Sequence, residues 1–451
     1  MSEHITSARA ASRGASGGRA AALTAALCTA FLAGTPVLAQ TAPAAAPPPC
    51  LKYDALMIRG VDTPFGSFCE TIEPELGGVR GALAEHGIGF LGFSNGALTY
   101  DVLGHDARKQ RYIGQIPTFT TATLGIFTYE TERVGLGKGS QLTVIPTYYS
   151  SSYKFANDRG VYLAQFSLFH PFLDNHIEVQ AGYARTVTKF AFSIAGTTLG
   201  SSALGPISNI PLGLGLSAFR PTPNADIRIY APGKEFYTHF GVARSISPEG
   251  IFEDARLNET GLRFGVPGAG PLFVNETGYK VEPAPDKKKV WVRGGVIYNQ
   301  SDFAIFNRPG QTGDNFGYFF FADFQLTQPS KVLPFQGLYI GAKYDKARAD
   351  RNPFGSDYSV TLYQIGTFET RPFDVVAIGV SKSFVGSGLK QSLRRVGLDP
   401  AASILSVTGS YNYRVQGGLY VNLGLTYTDN PTIATKSPGA LNASLGVSMI
   451  Y

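Results

Sequence analysis

The strictest constraint on this chain is a two-residue alternation that runs to its last residue. Leu419, Val421, Leu423, Leu425 and Tyr427 occupy one set of positions, and Tyr420, Asn422, Gly424, Thr426 and Thr428 the other. Leu441, Ala443, Leu445, Val447, Met449 and Tyr451 oppose Asn442, Ser444, Gly446 and Ser448 in the same way. A period of two sends neighbouring side chains to opposite faces of a β-strand. With Ser403–Val415 these segments form a closing trio whose apolar face carries no charge, and the trio ends on an aromatic residue. A bilayer offers no water to backbone N–H and C=O groups, so strands cross it only as a closed barrel, each ~9–11 residues long. The ending therefore predicts the closing strands of a transmembrane β-barrel. A soluble antiparallel sandwich alternates similarly, and the rest of the chain weighs between the two.

The first residues set the compartment. Arg9, Arg13 and Arg19 precede an apolar run, Ala21 to Gly34, followed by Val37-Leu38-Ala39. A basic start, a short apolar stretch and a small-residue cleavage site predict a signal peptide over 1–39. The run is too short to span a bilayer as a helix, and Cys28 within it is discarded with the signal. Cleavage leaves 36 basic against 32 acidic side chains. So mild an excess, with no basic run interleaved with aromatics, argues against a nucleic-acid partner. Charged residues are 16% of the chain, against ~25% in soluble domains. No later apolar run is long enough for a membrane helix. Low charge without such a helix suits a barrel in which lipid-facing and lumen-facing residues alternate. The expected address is the outer membrane of a Gram-negative cell, with its lipid as one partner.

Residues 40–75 read as a periplasmic segment, a Pro/Ala linker (QTAPAAAPPPC) and a cysteine pair. Cys50 and Cys69 either form one local disulfide, as export favours, or remain free thiols. The barrel domain, 76–451, opens on a short helix, since Leu76, Val79, Leu83 and Ala84 are helically spaced within Glu75 to Gly87. Strand-like segments then fall near 88–94, 97–103, 118–130, 140–150, 160–170, 176–194, 226–231, 235–245, 258–266, 271–281, 289–299, 316–327, 336–346, 357–369 and 373–384, before the closing three. The fold class is thus all-β: a large antiparallel transmembrane β-barrel of sixteen or eighteen strands with a short N-terminal helix.

Charge marks the inner face. In GLYIGAKYDKA, Lys343 and Asp345 alternate with Leu338, Ile340, Ala342 and Tyr344. Arg293 shares its face with Trp291 and Ile297, opposite Val290, Val292, Val296 and Tyr298, and Asp323 opposes Phe320, Ala322, Phe324 and Leu326. An Arg or Lys facing mid-bilayer lipid costs ~2–4 kcal/mol, so these faces point inward. A polar inner face means water, and a barrel of this size leaves an aqueous channel where eight strands would be filled by side chains. Arg293, Asp323, Lys343 and Asp345 are therefore expected to line the lumen, with Arg371 near a strand end. The longest strand-poor stretch, Gly196 to Ala225, is either a loop folded inward to narrow the pore or an external loop.

Several stretches resemble the carbohydrate-selective porin family of the OprB type. Leu76 to Ile88 (LGGVRGALAEHGI) is similar to its opening helix, and Glu259 to Lys280 to its strand pair ending in Glu-x-Gly-Tyr. Gly337 to Asp374 resembles its glycine-led strand, Asp-Arg-Asn loop and Arg-Pro-x-Asp ending, and Tyr411 to Pro431 resembles its closing hairpin. The resemblance spans about Leu76 to Tyr451. It departs in having one tryptophan, Trp291, where the family usually has several, and Tyr420-Val421-Asn422-Leu423 where Gln-Pro-Asp is usual. It implies a sixteen-stranded channel, monomeric unless barrels associate, that passes mono- and oligosaccharides by diffusion. Sugar hydroxyls would bond to the lumen's Arg, Lys, Asp and Tyr side chains.

Chemistry of other kinds finds little support. His86, His105, His170, His176 and His239 sit in no recognisable nucleophile motif. His170 and His176 lack a nearby cysteine or further histidine to complete a metal site. GLGKGS from Gly135 lacks phosphate-loop spacing and reads as a hairpin turn. No enzyme, cofactor or metal is expected. Two readings remain beside the channel: a barrel with a structural or docking role and no solute flux, and a soluble secreted sandwich.

Overall fold

The computed structural model describes residues 49–62, 67–105, 109–153, 159–191 and 209–451. The expected signal peptide lies outside them, as do most of the Pro/Ala linker and 196–208 of the strand-poor stretch.

Alternating segments form one sheet. Its first half is β1 (Ile88–Asp101), β2 (Thr118–Glu130), β3 (Gln141–Ser151), β4 (Gly160–Phe172), β5 (Ile177–Ala184), β6 (Thr222–Tyr230), β7 (Phe236–Arg244) and β8 (Pro271–Val281). The second is β9 (Val290–Ala304), β10 (Thr312–Gln325), β11 (Gly337–Ala347), β12 (Phe354–Ile365), β13 (Val375–Val385), β14 (Ser403–Gln416), β15 (Leu419–Thr428) and β16 (Ala440–Ile450). Each strand pairs antiparallel with its sequence neighbours, and β1 meets β16 to close a barrel of sixteen. Closure leaves no strand edge unpaired, which is the condition for crossing a bilayer. Burial alternates accordingly: on β9, Ile297, Asn299 and Ser301 are buried and point inward, while Val296, Tyr298 and Gln300 are exposed on the outer face. Among the described residues four short α-helices accompany the sheet: α1 (Val79–Glu85), α2 (Asn209–Gly213), α3 (Ile251–Leu257) and α4 (Ser387–Arg395). The expected N-terminal helix is α1.

The two ends differ. One carries the start of β1, the end of β16 and short turns such as Gly417-Gly418; the other carries the two longest connections, 185–221 and 245–270. Gly418 adopts φ +72°, and a Cβ there would lie 2.3 Å from the Ile72 nitrogen and 2.4 Å from the Ile450 oxygen. Only glycine fits that tight return.

Three expected segments need correcting. Residues 88–94 and 97–103 belong to one strand, because Asn95 and Gly96 stay in register with Ala122 and Thr121 instead of turning. Residues 258–266 form no strand: they lie in the connection from β7 to β8, where the Thr260 carbonyl accepts a hydrogen bond from the Leu163 N–H of β4 (3.0 Å). The segment expected over 176–194 ends as a strand at Ala184. One merger and one loss account for sixteen strands rather than eighteen.

Candidate functional site

Two segments that are not strands lie against the inner wall. The first, described over residues 50–62 and 67–72, crosses the inward faces of five consecutive strands. Thr128 of β2 donates to the Leu56 carbonyl (2.6 Å). Gln141 of β3 donates to the Met57 carbonyl (3.0 Å) and accepts from the Arg59 N–H (2.9 Å). Gly60 passes so near β4 and β5 that a Cβ would lie 2.9 Å from both Phe169 and Gln180. Asp62 then receives Arg228 of β6 through two hydrogen bonds of 3.1 and 2.6 Å. Such a two-point guanidinium–carboxylate contact fixes geometry as well as charge. The segment's far end is tied by Glu70, which accepts from Arg414 (2.5 and 2.9 Å) and Tyr420 (2.5 Å), and by the Ile72 N–H bonded to the Ile450 carbonyl (2.8 Å). Cys50 and Cys69 are joined by a disulfide. Tyr53, Ile58 and Phe68 bury themselves against Leu91, Ile126 and Ile145 of the wall.

The second segment is the connection between β5 and β6. Its described parts double back on each other, with the Ser217 N–H donating to Thr186 Oγ1 (2.8 Å). Phe190, Ile210, Leu214 and Leu216 pack on Leu272, Val274, Ile297, Phe319 and Phe321, inward residues of β8, β9 and β10. Asn299 of β9 donates to the Leu214 carbonyl (2.7 Å), and the Ile246 N–H to the Gly215 carbonyl (3.1 Å). Of the two options for the strand-poor stretch, the described residues 209–221 take the inward one. Apolar side chains on the otherwise polar inner face are the core beneath this loop.

The segments meet where the Asp62 N–H bonds the Thr188 carbonyl (2.9 Å), and a chain of charges runs through the junction. Lys189 is paired with Asp226. Asp226 also faces His239 Nε2 (2.9 Å), whose Nδ1 faces Arg228 (3.0 Å). Arginine can only donate, so Nδ1 accepts and Nε2 donates to Asp226. Phe190 stacks on the His239 ring with centroids 4.0 Å apart. Alongside, Tyr237 donates to Glu276 (2.7 Å) and accepts from the Trp291 indole (3.1 Å).

Beyond this chain the inner wall carries the residues expected from the sequence. Arg293 and Asp323 approach at 3.3 Å, and the guanidinium lies 3.5 Å from the centre of the Trp291 ring. Arg293 and Lys343 flank Phe321 in register, while Asp345 stands opposite Asp357 on β12. Lys343 sits in the field of Asp357, Asp345 and Asp323. All four expected residues are thus brought together on adjacent strands. Arg371 is apart from them, in the turn before β13, paired with Asp374 and donating to the Arg414 carbonyl (2.7 Å). Asp62, Lys189, Asp226, Arg228, His239 and Glu276 were not singled out from the sequence. Asp226, Arg228, His239 and Glu276 carry the same signal, a polar group at every second position of an apolar strand, whereas Asp62 and Lys189 lie off the strands and carry none.

A closed antiparallel barrel of sixteen strands, with a charged inner face and a connection folded inward, defines a porin, a passive channel of the outer membrane. The chain belongs to the carbohydrate-selective porin, OprB family, whose sequence model matches residues 128–445. It is similar in structure to Pseudomonas putida OprB. The high-pH structure of that protein superposes with a TM-score of 0.70 at 15% identity, covering 86% of this chain and 100% of that one. The low-pH structure gives a TM-score of 0.55 at 13% identity over the same shares of the chains. At these identities the likeness is one of fold. A search of curated proteins found no match. In outer-membrane barrels the short turns face the periplasm and the longer loops the outside, which orients the two ends.

Proposed function

We propose that neutral sugars cross this barrel by passive diffusion along a path bordered by Arg293, Asp323, Lys343 and Asp345. The observation that supports this is the register that sets those four side chains on neighbouring strands of the inner face. Charges of both signs offer hydrogen-bond donors and acceptors to hydroxyls while largely cancelling as a field. Past Asp357, the inner face of β12, β13 and the start of β14 is hydroxyl-rich, with Ser359, Thr361, Ser381, Ser383 and Thr408. A polyol both donates and accepts, so it can bond to groups of either wall; in the structure each of these side chains is buried. Arg371 and Asp374 belong to the periplasmic mouth in this reading. A single barrel is the working unit, residues 1–39 direct export, and the lumen carries no enzymatic activity.

Liposome swelling tests the assignment. Wild-type protein should admit neutral monosaccharides faster than charged solutes of equal size. Arg293→Ala combined with Asp323→Ala should change sugar rates at least several-fold while the barrel stays folded. Sugar and charged-solute rates that are equal in wild type, or a double variant that swells like wild type, contradict the assigned path.

A further inference from the structure

We propose that Lys346 and Lys382, on the outward face of β11 and β13, bind the phosphorylated headgroup of an outer-leaflet glycolipid. Both belong to the lipid-facing set by alternation: Lys346 follows Ala342 and Tyr344, and Lys382 follows Ile378 and Val380. Both stand near the extracellular ends of their strands. Lys346 lies opposite Tyr318 on β10 and Ser356 on β12, and Lys382 opposite Tyr358 on β12. Tyr344 pairs across to Tyr358, and the Tyr318 and Tyr344 rings are 6.2 Å apart. Tyrosines gathered at one height mark the membrane–water interface. Toward the bilayer centre the same face becomes Phe320, Val360 and Val380, all exposed and apolar.

The lysines are thus anchored at the height of lipid headgroups, and the protein leaves their charge unanswered. Around the loop after β11, ion pairs join Arg348 and Arg351 to Asp314, and Arg351 to Asp350; neither Lys346 nor Lys382 has a carboxylate partner among the described residues. The Lys382 ammonium instead lies 5.3 Å from the centre of the Phe384 ring. Above them α4 adds Lys390, Arg394 and Arg395 to the same end of the barrel. The patch is one-sided: at the corresponding height β14, β15, β16 and β1 present Leu405, Tyr427, Leu441 and Tyr100. A phosphate can accept from both ammonium groups while the acyl chains cover the apolar rows below. An acidic polypeptide would satisfy the charge but not that apolar surface.

Purified full-length protein in detergent is titrated with diphosphoryl lipid A, and bound lipid is counted by native mass spectrometry. Wild type should bind it more tightly than the dephosphorylated lipid, and binding should weaken as salt rises. Lys346→Gln with Lys382→Gln should weaken it roughly 25-fold, about 1 kcal/mol per lysine, while Lys331→Gln in a periplasmic turn leaves it unchanged. Equal affinity for phosphorylated and dephosphorylated lipid, salt-independent binding by wild type, or an unaltered affinity in the folded double variant would each overturn the proposal. Sugar swelling in the double variant should stay at the wild-type rate, so a swelling failure bears on the channel reading alone.

Discussion

The described residues of the arm (50–62 and 67–72) and of the loop between β5 and β6 (185–191 and 209–221) lie against the same inner wall, but polar and apolar contacts hold them in different proportion. Matched polar groups hold the arm: Leu56, Met57, Arg59 and Asp62 each meet a polar partner on the wall, and a disulfide closes its base. Burial holds the loop, through Leu214 and Leu216 set into Ile297, Phe319 and Phe321. A polar attachment fails when one partner is removed, because the other is left buried and charged. An apolar attachment yields in proportion to the volume removed.

The sharpest break in that contrast is Asp62→Ala, which strands the buried Arg228 guanidinium. Removing one member of a buried pair costs about 3–5 kcal/mol, enough to free the arm while the sheet stays closed. Trypsin should then cut at Arg59, protected in wild type, with the heat-dependent gel shift of the barrel retained; unchanged protection would show that Asp62 does not hold the arm. Next in size is Leu214→Ala, expected to cost about 2–5 kcal/mol. Its signature is faster swelling with the larger sugars while the arm remains protected, and exposure of Arg59 there would erase the distinction between the two attachments. Cys50→Ser with Cys69→Ser opens a loop with a sequence separation of 19, worth about 3 kcal/mol in the chain-entropy account. The variant arm should be cut faster than wild type but more slowly than in Asp62→Ala. Alkylation of unreduced wild type should label neither cysteine, and two labels would mean free thiols.

The smallest effect is at the periplasmic mouth. Burial acts to raise the pKa of Asp374, but hydrogen bonds from Arg371, Tyr411 and the Arg414 N–H outweigh it and hold the carboxyl below its ordinary range. A depressed pKa contributes stability that is complete above the unfolded value and is lost as pH falls through the folded one. Asp374→Asn should therefore lower the unfolding temperature at pH 7, by an amount set by charged hydrogen bonds worth about 1.5–3 kcal/mol. The gap from wild type should close below about pH 4, and a gap that persists in acid would assign the effect to packing.

The same contrast explains what could be read from the sequence. β9, β10 and β11 were legible because Arg293, Asp323, Lys343 and Asp345 put charge on alternate positions, which in a membrane wall leaves one orientation. The closing hairpin was legible from its uncharged outer row. Asn95-Gly96 misled because those small residues separate two alternating segments as a turn would, yet pairing on both sides keeps the strand running through them. The arm was illegible for the reason it is stable: its partners are ordinary polar residues of distant strands, and contact with Thr128 or Gln141 leaves no periodic trace. The loop did leave one, since Ile297, Phe319 and Phe321 sit on the charged face and need an apolar cover that Ile-Pro-Leu-Gly-Leu-Gly-Leu, from Ile210 to Leu216, supplies.

Whether the lumen conducts with arm and loop in place is tested most directly by swelling of liposomes containing wild-type protein in an osmotic step of glucose, repeated with sugars of increasing length. Swelling well above that of protein-free vesicles, declining steadily with sugar size, is the result expected of a water-filled path. Glucose rates indistinguishable from those of empty vesicles, with the protein shown to be folded and inserted, would contradict it.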